Sequence, residues 1–290
     1  MDKNDIVIVS AKRTPMGGFQ GDFAGTTASQ IGSAAIKAAL ETSGLKAEDI
    51  DDINMGCVLP AGQGQAPARQ AALGAGLPQS TGATTINKMC GSGLKAVMMA
   101  HDEILAGSHT IMLAGGMDSM SGAPYLLPQA RGGFRMGHGE VTDPMFLDGL
   151  EDAYNKGTLM GCFAEDCAGH FNFTREQQDE FAIRSLSRAQ KTIEDGSFKN
   201  EITAVMIKDR KGESEITIDE QPSKARPDKI PTLKPAFAKD GTVTAANASS
   251  ISDGAAALTL MKREEAEKRG LTIMATIKGH TTHAQEPEWF

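Results

Sequence analysis

TTINKMCGSGLKAV, residues 84–97, decides how the rest of this 290-residue chain reads. It predicts a short strand over 83–87, a tight turn, and a helix opening on Gly91-Ser92-Gly93. Leu94, Val97, Met98, Ile104 and Leu105 recur at helical spacing, which predicts one apolar face packed on a sheet. A strand over 110–114, after Gly107, makes the return leg of a βαβ unit. Cys90 therefore stands where strand turns into helix. Free backbone N–H groups and the positive end of the helix dipole favour an anionic sulfur there. The flanking glycines permit the turn and leave a path for a substrate to reach the sulfur. A small cysteine filling a turn is the bland alternative, and the succession of strand, Cys, Gly-Ser-Gly and helix favours a nucleophile.

Outward from that turn, residues 6–9 form a continuous apolar run, as in a strand covered on both faces. Residues 13–25, RTPMGGFQGDFAG, lack phosphate-loop spacing and read equally well as a surface connection. Thr27-Ala-Ser-Gln30 is a capping box, Ile31, Ala34, Ala35 and Ala38 form a helical stripe, and Gly44 stops it. A strand is expected over 53–59 and a short alanine-rich helix over 67–75. After Gly116 the composition shifts toward Gly, Pro and charge, which predicts an inserted domain over 118–240. Inside it, a helix is expected over 159–171, with Met160, Phe163, Ala164 and Cys167 on one face. A second capping box, Thr174-Arg-Glu-Gln177, opens a helix that runs to Gly196. Residues 205–208 and 215–218 read as a hairpin across Arg210-Lys211-Gly212, and 222–235, with four prolines, as an extended surface segment. Regular patterning resumes at 241: strands over 242–245 and 255–261, a charged helix over 263–269, and a strand over 273–282.

A net charge of −8 argues against a nucleic-acid or anionic-membrane partner. No apolar run reaches membrane-spanning length, and the chain enters a strand at once without a signal sequence. The four cysteines, Cys57, Cys90, Cys162 and Cys167, show neither a disulfide framework nor paired metal spacing. A reducing, cytoplasmic setting and no metal are expected. Cys57 reads as core at a strand end, Glu165 and Asp166 as an exposed helix face, and no Gly-x-Ser-x-Gly elbow is present.

NKMCGSGLKAV (87–97), AGGMDSMS (114–121), MGCFAEDCA (160–168) and GTVTAANASSISDGAAA (241–257) together resemble the thiolase family. The resemblance implies an α/β thiolase-like fold. Its N-terminal α/β domain would span 1–117 and 241–270, its substrate-binding and CoA-binding loop domain 118–240, and the start of a second, truncated half 271–290. It implies an acyltransferase that condenses two acetyl-CoA into acetoacetyl-CoA and CoA, reversibly, with Cys90 as the residue acetylated. Leu150, Met160, Phe237, Ala245 and Ser249 would line the pantetheine channel, although Leu150, Met160 and Phe237 read equally well as core. Two departures stand out: Leu159 stands where many thiolases carry a histidine, and residues 221–229 do not reproduce the arginine that some members place against the adenine. Only by their charge would Lys224, Arg226 and Lys229 serve the nucleotide phosphates instead. No cofactor beyond the CoA thioester is implied. The expected partners are acetyl-CoA or acetoacetyl-CoA and further copies of the chain, as a homodimer or homotetramer pairing near 84–87.

The family's remaining catalytic groups come from a Gly-His-Pro histidine, an Asn-Glu-Ala-Phe segment and a Cys-x-Gly-Gly-Gly turn, none of which occurs in these residues. The 290 residues alone are therefore expected to be inactive. Of the six histidines, His101 reads as a satisfied core residue, and none, including His109, His138, His170, His280 and His283, sits in a motif fixing it as the base. A degradative 3-ketoacyl-CoA thiolase and a non-catalytic fragment are the rival readings.

Overall fold

Continuous apolar strands need a sheet covered on both sides, and the two ends of the chain build one together. The elements begin with β1 (Ile6–Arg13), the two-residue β2 (Gly17–Gly18), α1 (Ala28–Ser43), β3 (Asp52–Gly56), α2 (Pro67–Gly74), β4 (Gly82–Ile86), α3 (Ser92–Ala106) and β5 (Ile111–Ser119). Next come α4 (Met160–His170), α5 (Arg175–Glu194), the hairpin β6 (Val205–Asp209) and β7 (Gly212–Ile216), and α6 (Glu220–Lys224). The chain closes with β8 (Ser252–Lys262), α7 (Arg263–Lys268) and β9 (Ala275–Thr276). This computed structural model describes residues 2–209 and 212–289.

Two compact units divide these elements. The first comprises Met1–Gly122, Phe198–Glu220 and Ser252–Thr281. Its mixed sheet has the order β4-β3-β5-β8-β1-β9, with β2 alongside β8. β3 runs parallel to β4 and β5, whereas β8 runs antiparallel to β5 and β1. Side chains alternate across this sheet as the pleat demands. Along β5, Ile111, Leu113 and Met117 enter the core under α1 and α2, while Met112 and Ala114 enter the core under α3. β1 divides the same way, with Val7 and Val9 on one side and Ile6 on the other. Each large aliphatic side chain so buried contributes about 1.5–3 kcal/mol. Polar side chains built into this interior are bonded there: Ser10 Oγ donates to Ala39 O at 2.7 Å and lies 2.7 Å from Thr259 Oγ1.

The helix boundaries follow the local chemistry. Thr27 and Gln30 form the capping box of α1, and Gly44, at φ +75°, ends it in the left-handed conformation. Thr174 and Gln177 do the same for α5. Residues 13–25 are more than a surface connection, because Arg13 grips Asp219 with two bonds of 2.7 and 2.9 Å. The Glu220 carboxylate accepts from Gly18 N and Asp22 N, which holds the loop from inside.

Three expectations change. Residues 242–245 form no strand, since a carboxylate rather than a neighbouring strand takes their amides, as described below. The expected extended run 222–235 coils into α6 and a 3-10 segment, Pro227–Thr232, whose leading proline has the fixed φ a first turn needs. The last strand shrinks to two residues, because Lys278 turns to Asp5 at 3.3 Å and His280 turns toward α3. The expected hairpin forms as β6–β7, in the register Val205↔Ile216, with its second strand at Gly212–Ile216 instead of 215–218 and Arg210 and Lys211 outside the described residues.

The units also divide the chain at places other than 117 and 241. Val205, Ile207 and Ile216 of the hairpin pack into the core under α1 and α2, so 198–220 belong to the first unit. The second unit is Ala123–Ser197, Gln221–Ile251 and Thr282–Phe290, and it takes up residues 241–251. It holds α4, α5 and a π-helical turn, Met145–Leu150. No helix among the described residues is long and apolar enough to cross a membrane.

Candidate active site

Cys90 is exposed and lies two residues before the first residue of α3, on the turn that leaves β4. Met89, just before it, has φ +49°, a left-handed conformation that costs a non-glycine residue about 1–2 kcal/mol. Three hydrogen bonds hold that conformation. Ser92 Oγ accepts from Lys88 N at 2.8 Å and donates to Met89 O at 2.5 Å. Asn87 Oδ1 accepts from Met89 N at 3.0 Å. Asn87 Nδ2 in turn donates to Val58 O at 3.2 Å, which ties the turn to the strand-end loop next door. That loop is fixed by Asp118, whose Oδ1 accepts from Val58 N at 2.9 Å and Leu59 N at 3.1 Å.

Beneath the turn is a seat without side chains. A Cβ on Gly56 would lie 2.7 Å from Gly93 N and from Ser92 C and Cβ, and one on Gly116 would lie 3.2 Å from Gly93 Cα. The first turn of α3 thus rests on bare backbone of β3 and β5. Such closeness reverses part of the sequence reading of α3. Its buried face is Ser92, Ala96, Ala100 and Ile104, with only Ile104 large, while Leu94 is 75% exposed and Leu105 also faces outward. Small residues face the sheet because the helix lies too near it for leucines.

Cys57 lies at the end of β3, buried as expected. Burial first, and then the charge of Asp118, push its thiol up to about 12, so it stays neutral and poorly nucleophilic. Burial likewise raises Asp118 above the usual carboxylate range, against the bonds from Leu59, Val58 and Cys57 that favour its charge.

The five residues assigned to pantetheine all fall in the second unit. Leu150 ends the π-helical turn, and an antiparallel bridge between Glu151 and Leu159 sets it opposite Met160. Leu159 itself is the N-cap of α4. Phe237 packs its ring where a side chain on Gly161 would stand, within 2.3 Å of a Cβ there, so Leu150, Met160 and Phe237 are neighbours around the start of α4. All three are half-buried, whereas Ala245 and Ser249 are exposed. Ala245 lies inside, and Ser249 just after, a turn closed by Ala248 N donating to Thr244 O at 3.0 Å.

Glu165 organises that loop, which corrects its reading as an exposed helix face. Its carboxylate accepts from Thr242 N, Val243 N and Thr242 Oγ1 at 2.8–3.0 Å. Asn247 completes the loop from the other side. Its amide donates to Thr242 O at 3.0 Å and to Asp179 Oδ1 at 2.9 Å, and the second oxygen of Asp179 takes Arg175 at 2.7 Å. A groove of about 410 Å³ on α5, lined by Phe173, Gln177, Phe181, Arg184 and Asn247, includes none of the five assigned residues.

No described hydrogen bond or ion pair joins a histidine to Cys90. His170 ends α4 and stacks edge-on against Phe171 and Trp289. His101 is not a core residue: it is paired with Asp102 and His280, nine residues up α3 from Ser92 and about 13 Å along the helix axis. Asn87, Ser92, Gly56 and Glu165 were missed as positioning groups. Ser92 alone carried a signal, as a serine between two turn glycines.

Residues 6–264 match the family model described as "Thiolase, N-terminal domain". An acetyl-CoA acetyltransferase of Cupriavidus necator is 49% identical over 286 residues, covering 98% of this chain and 72% of that protein. Acetyl-CoA acetyltransferase 2 of Arabidopsis thaliana is 46% identical over 293 residues, covering 100% of this chain and 72% of its own. The crystal structure of the Bacillus anthracis acetyl-CoA acetyltransferase superposes with a TM-score of 0.95 at 37% identity, over 99% of this chain and 72% of that one.

Proposed function

Because this chain belongs to the thiolase family, we propose that it is the nucleophile-bearing part of an acetyl-CoA acetyltransferase, with Cys90 as the acyl carrier. The single observation that supports this most is the turn itself: an exposed thiol on a strained strand-to-helix corner, seated on glycine. In this reading the Cys90 thiolate attacks the thioester carbonyl of acetyl-CoA. A C–S bond to Cys90 forms, the C–S bond to CoA breaks, and the departing CoA sulfur takes a proton. The α-carbon of a second acetyl-CoA then loses a proton to a base, and its carbanion attacks the acetyl-Cys90 carbonyl. A C–C bond forms, Cys90 leaves as thiolate, and acetoacetyl-CoA is the product.

Leu150, Met160 and Phe237 suit the apolar pantetheine stem, and the Ser249 hydroxyl suits one of its amides. The setting is cytoplasmic, the CoA thioester is substrate rather than cofactor, and a homodimer forms along β4, an end strand of the sheet order. A placed base and oxyanion donors each supply about two to four orders of magnitude in rate. With no histidine bonded beside Cys90 among the described residues, these 290 residues by themselves are expected to take up an acetyl group without condensing it.

The test is peptide mapping after brief exposure to acetyl-CoA, and separately after limited iodoacetamide at pH 8. Acetyl should appear on Cys90 and vanish in Cys90→Ser. Cys90 should alkylate at least about 100-fold faster than Cys57, whose thiol is held protonated. Acetyl or alkyl groups appearing first on Cys57, Cys162 or Cys167 would remove the basis for this reading.

A further inference from the structure

His101 and Asp102, on the third turn of α3, meet His280 from the segment that follows β9, all within the first unit. His101 Nδ1 lies 2.9 Å from Asp102 Oδ1, His280 Nε2 lies 2.9 Å from the same oxygen, and the two ring nitrogens lie 3.2 Å apart. The rings stand edge-to-face, 87° between planes. One atom from each residue thus forms a small triangle, all within 4.8 Å of one another.

Hydrogen bonding cannot satisfy all three sides of that triangle. A neutral or protonated imidazole nitrogen offers either a proton or a lone pair in the ring plane, never both. If both facing nitrogens carry protons, both can donate to Asp102, but they then confront each other as two donors. If one gives up its proton to accept from the other, its lone pair faces the carboxylate oxygen instead. With Asp102 ionised, as its pKa lowered by the bond to His101 favours, every protonation state of the two rings leaves one side repulsive. A cation at the apex satisfies all three together, because each atom then turns a lone pair toward the same charge. The spacings agree with this. Ligands held about 2.1 Å from a zinc-like ion stand about 3.0 Å apart at right angles and about 3.4 Å apart at tetrahedral angles. The observed sides of 2.9, 2.9 and 3.2 Å fall close to this range.

We propose that His101, Asp102 and His280 form a binding site for one divalent transition-metal ion of the zinc class. Two imidazoles and one carboxylate suit borderline ions over calcium or magnesium, which prefer all-oxygen shells. The side chains are partly exposed, at 15%, 57% and 24%, which leaves room for water in the remaining positions. The site lies about 13 Å along the axis of α3 from Ser92, so the ion has a structural role. It clamps the segment after β9 onto the helix that carries Cys90 at its start.

The experiment is equilibrium dialysis of the full chain against Zn²⁺ at pH 7.5, with Co²⁺ visible absorption as the reporter of nitrogen and oxygen ligation. One ion should bind per chain with micromolar or tighter affinity. His101→Ala, Asp102→Asn and His280→Ala should each weaken binding by at least about 10-fold, as removal of ligand-sphere groups does. His283→Ala, three residues on, should leave it unchanged. Zn²⁺ should also slow amide exchange over residues 278–281, and His280→Gln should remove that protection while circular dichroism stays that of the folded chain. Absence of binding at 100-fold the chain concentration, or undiminished binding in the His101, Asp102 and His280 triple variant, would overturn the site.

Discussion

The turn at Cys90 and the loop at 242–249 are both irregular backbone held in one conformation, yet they are held by opposite means. At Cys90 the positioning is steric. Gly56 and Gly116 bring strand backbone so close to Ser92 and Gly93 that no Cβ fits at Gly56, and α3 buries only Ser92, Ala96, Ala100 and Ile104. At 242–249 the positioning is polar. The Glu165 carboxylate and the Asn247 amide take the backbone groups that a strand neighbour would otherwise have satisfied. Contact with bare backbone fixes a turn rigidly and tolerates no added atom. A loop held by side chains can loosen one bond at a time.

The strongest way to break this contrast is Gly56→Ala. Its methyl would sit 2.7 Å from Gly93 N and from Ser92, so the first turn of α3 must lift. Overpacking of this kind costs about 1–3 kcal/mol. Urea unfolding should show that loss, and the Cys90 alkylation rate should change by about 10-fold or more. A variant of unchanged stability with unchanged Cys90 reactivity would mean the seat is softer than its spacing implies.

Glu165→Ala probes the other region and should do less. The carboxylate is half-buried, so water partly replaces it, and the loss should be about 1 kcal/mol. Its signature is local: faster amide exchange at Thr242 and Val243, the two N–H groups it accepts. Unchanged exchange there would show that Asn247 alone holds the loop.

Met89→Gly sharpens the comparison with the smallest effect. Glycine removes the left-handed strain at φ +49° but gives the unfolded chain more freedom, and each is worth about 1 kcal/mol. Stability should therefore change by less than about 0.5 kcal/mol. A Cys90 labelling rate that also stays put would show that Ser92 and Asn87, rather than the side chain of Met89, set the turn.

By itself the sequence determined the order of the elements in the first unit and the strand-to-helix turn on which Cys90 stands. Capping boxes at Thr27 and Thr174, the stop at Gly44 and the strand–Cys–glycine–helix succession act through residues three or four apart, so local order carries them. The turn at Cys90 was legible for the same reason. Only the tertiary structure decided what lies under it. Gly56 and Gly116 are 34 and 26 residues from Cys90, and nothing at either position marks it as the place where α3 comes to rest. Helical spacing placed Leu94 and Leu105 inward because large apolar residues usually seek the core. The closeness of helix to sheet selected alanine and serine instead, and that closeness is a property of two strands and a helix together. Glu165, Asn247 and the meeting of His280 with His101 depended in the same way on partners roughly 70 to 180 residues distant. Charged and polar side chains show no periodicity that could reveal such partners before the chain has folded.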